Sequence, residues 1–484
     1  MVNCRFIFLV MMLNAANFGI EFMYSIVLKN FVFKYDYTVK TVIEGVLGPL
    51  IGIIVQIIVG SWSDYNTEMK WGKRRPFMLA GNFIVFLGII LQTVMAVCYV
   101  VTGDRTEETL SFSEISQKWE FWGYLVSLIC FFVGINTLQV SLRTLVLDII
   151  PMEHQFQCAV MFIALSSLAH LTTDTVFTIP GLSYSLDNIE SLSQANTKSL
   201  ACMFIISLFL VPLTTTVTFC TATESYVENK KMKFGEFVKK EVRAVFEINW
   251  KRIFNWLILF WGYTAFECFE QESHLLYEYF GVSYSSEIIQ LNRVTPSFVY
   301  QIQQIVTDIS QIGYCVFMFP KRDYHWFLLG VTTVITGMAS LLPLTIISNL
   351  FYSGIEYTQY TVIILLMILI IIVFIPVGIT VAQLSTIPFA LLKGIVPSAH
   401  FGLFVGILNI AVLFAQFLVR CVVVYPLHKG MGNDIDKAHN QLISIAALTL
   451  ILYIIASIFS FAMKFVASPN HKVEQSTEIE MDEE

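Results

Sequence analysis

The sequence predicts an all-α membrane protein whose twelve transmembrane helices form two bundles of six. Three observations carry this. First, the 484 residues are 56% hydrophobic and 13% charged, with a mean hydropathy of +0.70. A soluble domain carries about 25% charged residues, so most of this surface must face an apolar medium, and lipid is the ready one. Second, the apolar residues gather in twelve runs, near 6–28, 42–62, 77–101, 121–147, 158–180, 200–222, 254–280, 298–319, 325–347, 361–388, 401–425 and 440–464. Each approaches or exceeds the roughly 20 residues that cross a bilayer. Third, a long charged segment, Thr223 to Arg252, divides the runs six and six.

The first run is too long for the apolar part of a signal peptide. It carries Asn14, Asn17 and Glu21, and no small-residue cleavage site follows, so it reads as the first membrane helix. The seventh and eighth runs are the most polar. Soluble core helices do not explain the set, because one globular core cannot hide twelve helices of this length. Placing both termini in the cytoplasm puts Lys and Arg on the inner segments over the outer ones by two to one, the expected bias. Within the charged segment, Phe234 to Phe246 fits either an amphipathic helix on the inner membrane surface or a solvated linker. The acidic end after Lys472 reads as a solvated, disordered tail. The expected organisation is a six-helix bundle over 1–222, a cytoplasmic linker over 223–252, a second bundle over 253–465 and a tail over 466–484.

The nine cysteines lie in or beside apolar runs without a CxxC pair, which argues against a disulfide framework or a metal site. There is no P-loop and no HExxH. The sequence therefore points away from an enzyme, from ATP-driven transport and from any cofactor. Its basic loops follow from topology, so no nucleic-acid partner is implied.

The loop between the second and third runs is the densest motif. It reads Gly60-Ser-Trp-Ser-Asp64, then Gly72-Lys73-Arg74-Arg75-Pro76-Phe77. Gly60 permits close helix approach. Asp64 ends the second run, where it can pair with Arg74 and Arg75 or face a helix N-terminus. Such contacts can latch one conformation of a rocking bundle. An ordinary positive-inside loop explains the basic residues, but not the order of Gly60, Asp64, Gly72 and Pro76.

This loop resembles that of the plant sucrose transporters and their animal relatives, which include the melanocyte membrane-associated transporter. All belong to the glycoside–pentoside–hexuronide cation symporter group of the major facilitator superfamily. Gly48-Pro49-Leu50, Val55-Gln56 and Val59-Gly60 are similar to the family's second helix. Gly19-Ile-Glu21-Phe22-Met-Tyr24 is similar to a stretch of the animal members, and Asn136-Thr137-Leu138-Gln139, Arg143 and Asp148 to the plant fourth helix. Ile387-Pro388-Phe389-Ala390-Leu391 and Gly402-Leu403, Gly406-Ile-Leu408-Asn409 and Gln416 look like helices ten and eleven. Helices seven to nine match poorly, and Lys73 stands where the family commonly has an arginine. The resemblance implies the major facilitator fold and a sugar as solute.

Charges at lipid depth are costly unless they face the interior, so each is a functional candidate. The resemblance associates the arginine at Arg143 with sugar and proton coupling. On chemistry alone, a permanently charged fork suits hydroxyl-rich or anionic ligands; a buried ion pair locking two helices is the other reading. Asn136 and Gln139 would line the same site, and Trp261 and Tyr263 could stack on a sugar ring. Glu21 is the natural partner for Arg143, either as proton carrier or as fixed salt-bridge partner. His170 and Asp174, four apart, share a helix face and form either a proton relay or an oriented pair. Glu267 and Glu270, with Glu272 and His274, crowd the seventh run. Plant members carry an aspartate where this chain has Phe132, so a coupled proton must bind elsewhere.

The expected function is secondary transport of a sugar, a sucrose-like disaccharide or a hexose, by alternating access with proton coupling. The partners are then the sugar, protons and membrane lipid, in the plasma membrane or an organellar one. The alternatives are another small solute, an uncoupled uniporter, or a membrane sensor that binds without transporting.

Overall fold

The computed structural model describes residues 4–28, 45–66, 71–102, 117, 119–184, 189–224, 233–247, 249–292, 296–321, 326–352, 359–424 and 435–466. The tail expected over 466–484 lies outside these except for its first residue. The helices are α1 (Cys4–Leu13), α2 (Ala15–Leu28), α3 (Gly48–Tyr65), α4 (Arg75–Thr102), α5 (Trp119–Ile149), α6 (Gln155–Tyr184) and α7 (Ile189–Thr221) in the first half. Then come α8 (Phe234–Phe246), α9 (Trp250–Asn292), α10 (Pro296–Met318), α11 (Trp326–Tyr352), α12 (Gln359–Ile395), α13 (Phe401–Leu418) and α14 (Ile435–Val466).

Each of the twelve apolar runs is helical over nearly all of its described residues. Among the described residues, eight helices are long and apolar enough to cross a membrane, or nine when α1 and α2 count as one span. Those two are bent by 46° at a break that holds Asn14. The Asn14 amide donates to the Val10 carbonyl at 2.9 Å and to Cys158 Sγ at 3.2 Å, a side chain inserted where the helical ladder is interrupted. α9 and α10, the most polar, fall short of that apolarity but are continuous. α9 is 43 residues long and runs past the expected end at 280 through Gly281. A lone glycine costs a helix only about 1 kcal/mol, too little to end one held by its neighbours.

The distribution of side chains is that of a protein solvated by lipid. Phe83, Phe209, Phe317 and Met338 are exposed, whereas Gln56, Gln92, Gln303, Gln383 and a file of threonines are buried. The chain is accordingly an integral, multi-pass membrane protein. Within the first half α4 packs on α5, and α2 on α6 and α7. Within the second α14 packs on α9 and α11, and α10 on α12. The halves meet where α3 lies on α13 and where α6 lies on α10 and α12. This leaves α8 outside both bundles as a short helix between them.

Candidate functional site

Arg143 projects from α5 at the junction of the halves. Its guanidinium carbon lies 4.5 Å from the ring centre of Phe162 on α6 and 3.8 Å from that of Phe389 on α12. One ring thus comes from each bundle, and each supplies a cation–π contact. No carboxylate pairs with Arg143 among the described residues. It lines a narrow pocket with Asn14, Gln155, Cys158, Phe162, Ser385 and Phe389, which has room for a few waters. The Tyr263 hydroxyl hydrogen-bonds Ser385 at the pocket edge. Trp261 is packed against Phe260 and the α13–α14 apolar core, away from the pocket lining.

Glu21 does not take Arg143 as its hydrogen-bonded partner, as the sequence suggests. Gln139 Nε2 donates to Glu21 Oε1 at 3.2 Å, and His170 Nε2 lies 3.3 Å from Oε2. The reason is geometric: the two rings hold the guanidinium, while α6 turns His170 onto α2. Asp174 is buried one turn further along α6. Asn136 packs between helices, accepting from Gln56 Nε2 at 2.7 Å and donating to the Phe132 carbonyl at 2.8 Å. Within the second half, Gln416 Nε2 donates to Glu267 Oε1 at 3.0 Å and Gln304 Nε2 to Glu270 Oε1 at 3.2 Å. Tyr24 lies within electrostatic range of Glu21, Glu267, Glu270 and Arg420, so acidic groups of both halves face one region. The side chains of Glu272 and His274 lie outside the described set.

The loop motif builds a second, denser cluster at one end of the bundles. Arg74 is fully buried. It donates to Asp64, to the Ser63 hydroxyl, and through Nε to Asp148 Oδ2 at 2.8 Å, while Lys73 Nζ lies 3.5 Å from that same oxygen. Burial pushes the Arg74 pKa down, but Asp64 and Asp148 outweigh it and hold the pKa above its ordinary value. Asp64 also crosses to the other half: it accepts from the backbone N–H of Gly402 at 3.1 Å and of Leu403 at 3.0 Å. These are the first orphan donors of α13, at the positive end of its dipole.

Gly60 and Gly402 are the reason the contact can close. A Cβ on Gly60 would lie 2.3 Å from the Gly402 carbonyl oxygen, and one on Gly402 equally close to that of Gly60. Only backbone fits between the bundles there. A reciprocal contact lies on α12, where Lys393 Nζ donates to the Leu147 and Ile150 carbonyls at 2.7 and 2.6 Å. Those are acceptors at the C-terminus of α5, its negative end, which Gln155 Nε2 also caps.

Arg75 does not join Asp64, contrary to the expected latch. It bonds the Phe219 carbonyl and stacks on the Phe219 ring at 4.3 Å, because as the first residue of α4 it points toward the end of α7. The sequence reading also missed Glu224. Its carboxylate accepts from the backbone N–H of Arg74 at 3.1 Å, capping the start of α4. Burial pushes the Glu224 carboxyl up, against the pull of the Arg74 and Arg75 N–H groups. Gly72, with φ +94°, leaves the space this carboxylate fills. An acid just past the sixth apolar run, facing a basic loop, was the available signal.

No family model matches the chain. In short stretches it is similar to plant sucrose transport proteins. It is 40% identical over 65 residues to sucrose transport protein SUC3 of Arabidopsis thaliana, which covers 13% of this chain and 11% of that one. It is 31% identical over 110 residues to SUT5 of Oryza sativa subsp. indica, which covers 22% and 20%. The alignments thus span about a tenth to a fifth of these relatives' lengths. Solved structures match over nearly the whole chain. The proton:xylose symporter XylE superposes with a TM-score of 0.56 at 15% identity, over 96% of this chain and 95% of its own. FucP in the outward conformation gives 0.55 at 14%, over 94% and 98%. A bacterial homologue of the iron transporter ferroportin, outward-facing, gives 0.55 at 13%, over 96% and 100%.

Proposed function

Because the chain is a membrane protein of the major facilitator fold, related in sequence to the plant sucrose transport proteins, we propose that it transports a sugar by alternating access. The observation that carries this is Arg143, a guanidinium set between one ring of each bundle and without an ion-pair partner among the described residues. Such a group is available to hydroxyls or to an anion. Its surroundings fit a sugar: apolar rings offer flat faces, and Gln155, Ser385 and Tyr263 offer polar edges. The pocket now holds only water-sized space, so a sugar enters when the bundles part.

Protons are the proposed coupling ion. Phe132 removes the family's aspartate, and Glu21 with His170 is the proposed replacement; Glu267 and Glu270 are a second acidic set across the interface. Asp64, Arg74 and Lys393 form the proposed gate. With both termini in the cytoplasm this gate faces the cytoplasm and is closed. A glycoside-sized solute fits the related sequences named above, and an uncoupled uniporter remains the competing mechanism.

The test is uptake of labelled sucrose and glucose into proteoliposomes under an imposed pH gradient. Accumulation of one sugar above its equilibrium level, abolished by a protonophore, is the expected result. Wild-type protein that moves neither sugar, or Arg143→Ala that transports normally, refutes the proposal. Equilibration without accumulation assigns the uniporter.

A further inference from the structure

Helix α8 presents three distinct faces. At 100° per residue, Phe237, Glu241 and Ala244 fall on one side and face the bundles. Phe234, Val238, Val242, Val245 and Phe246 fall on a second side, all exposed. Glu236, Lys239, Lys240 and Arg243 fall on a third, also exposed.

Its height in the molecule is fixed by three ties to helix ends. The rings of Phe234 and Phe237 lie 5.4 and 5.1 Å from that of Tyr65, the last residue of α3. Glu241 hydrogen-bonds His400, the residue before α13. Arg252, in the first turn of α9, donates to the Ala244 carbonyl at 3.3 Å. Two of these tie points, Tyr65 and His400, belong to helical stretches apolar enough to cross a bilayer, Gly45–Tyr65 and Ser398–Val423. The helix therefore runs where hydrocarbon gives way to water. Trp62, three residues before Tyr65, and Trp250, two before Arg252, are both exposed, and tryptophan favours that zone.

We propose that α8 lies in the headgroup layer of the protein's own membrane, with the Phe234–Val238–Val242–Val245 stripe inserted among the lipids. The stripe continues the apolar exterior of the neighbouring helices, and Lys239, Lys240 and Arg243 sit on the face that meets headgroups and water. This is the arrangement of an interfacial amphipathic helix, strengthened by anionic lipid. A soluble partner would have to reach the stripe at the edge of the bilayer. The inference is independent of the transported solute.

The test uses full-length protein in vesicles of phosphatidylcholine, with and without phosphatidylglycerol, doped with phosphatidylcholine carrying a diazirine in its acyl chain. After photolysis, adducts are mapped by peptide mass spectrometry. Adducts on Phe234, Val238, Val242 and Val245 are expected, with fewer or none on Lys239 and Arg243, and more when phosphatidylglycerol is present. Val238→Glu with Val242→Glu should lose most of the α8 adducts and keep those on Phe83 and Phe209, an internal check that the protein is folded and inserted. Labelled Phe83 and Phe209 with an unlabelled α8 overturns the proposal, as a stripe covered by protein or open to water would give. So does α8 labelling that the double variant leaves unchanged.

Discussion

Replacing Gly60 by alanine should spring the proposed gate open. The new Cβ would lie 2.3 Å from the Gly402 carbonyl oxygen, about 1 Å inside an ordinary nonbonded contact. The obstacle is backbone, so no rotamer change relieves it and α3 and α13 must separate. Overpacking of this kind costs about 1–3 kcal/mol, and the cost falls only on the closed state. The open-to-closed ratio should therefore rise by about 5- to 150-fold. The native thiol of Cys158 reads the change, because it is buried and lines the pocket beside Arg143. Purified protein in nanodiscs is treated with a membrane-impermeant maleimide, and the rate at Cys158 is followed by peptide mass spectrometry. The rate should rise within that range in Gly60→Ala and in Gly402→Ala. A variant that melts like wild type yet alkylates Cys158 at the wild-type rate would falsify this account of the gate.

Three further outcomes follow from the same geometry. Asp64→Asn removes the charged acceptor of the Gly402 and Leu403 N–H groups, a loss of about 1–3 kcal/mol from the closed state; thermal melting and Cys158 alkylation should both shift, and an unchanged pair of readouts counts against the clamp. If Arg143 carries sugar, Arg143→Lys should be nearly as defective in uptake as Arg143→Ala, because an ammonium cannot lie flat between Phe162 and Phe389; full activity in the lysine variant would remove the stacking argument. Burial raises the Glu224 carboxyl in the folded protein, so the folded form binds its proton more tightly than the unfolded chain does. Lowering the pH through the raised value toward the ordinary carboxylate value should then stabilise the fold, and Glu224→Gln should flatten that part of the profile of melting temperature against pH.

Periodicity and composition made the membrane helices legible, because lipid imposes one simple rule on every span. They served less well at α9, whose polar sequence after Gly281 hid the helix's true length. The clamp was half legible. Asp64 and Arg74 are ten residues apart and share one loop, so their pairing could be read. Glu224 lies 150 positions away and Asp148 74 away from Arg74, and only the fold brings them together. Arg75 shows the limit of charge counting: a neighbouring arginine of the same sign points at a carbonyl of α7 instead. Glu21 and Arg143 attract by charge, but a sequence cannot reveal that two rings from separate helices will hold the guanidinium first.

The paired contacts of Asp64 with the start of α13 and of Lys393 with the end of α5 bear on how the proposed gate would move as well as on how firmly it would shut. Each joins a side chain of one rigid bundle to a helix terminus of the other, and the two belong to one body-on-body approach. Whichever forms first holds its counterpart at high effective concentration, so the second closes as an intramolecular event. Neither can persist alone once the bundles rock apart. The gate should accordingly snap between two positions, with little time spent half-shut, and a half-shut gate is the form through which protons would slip uncoupled.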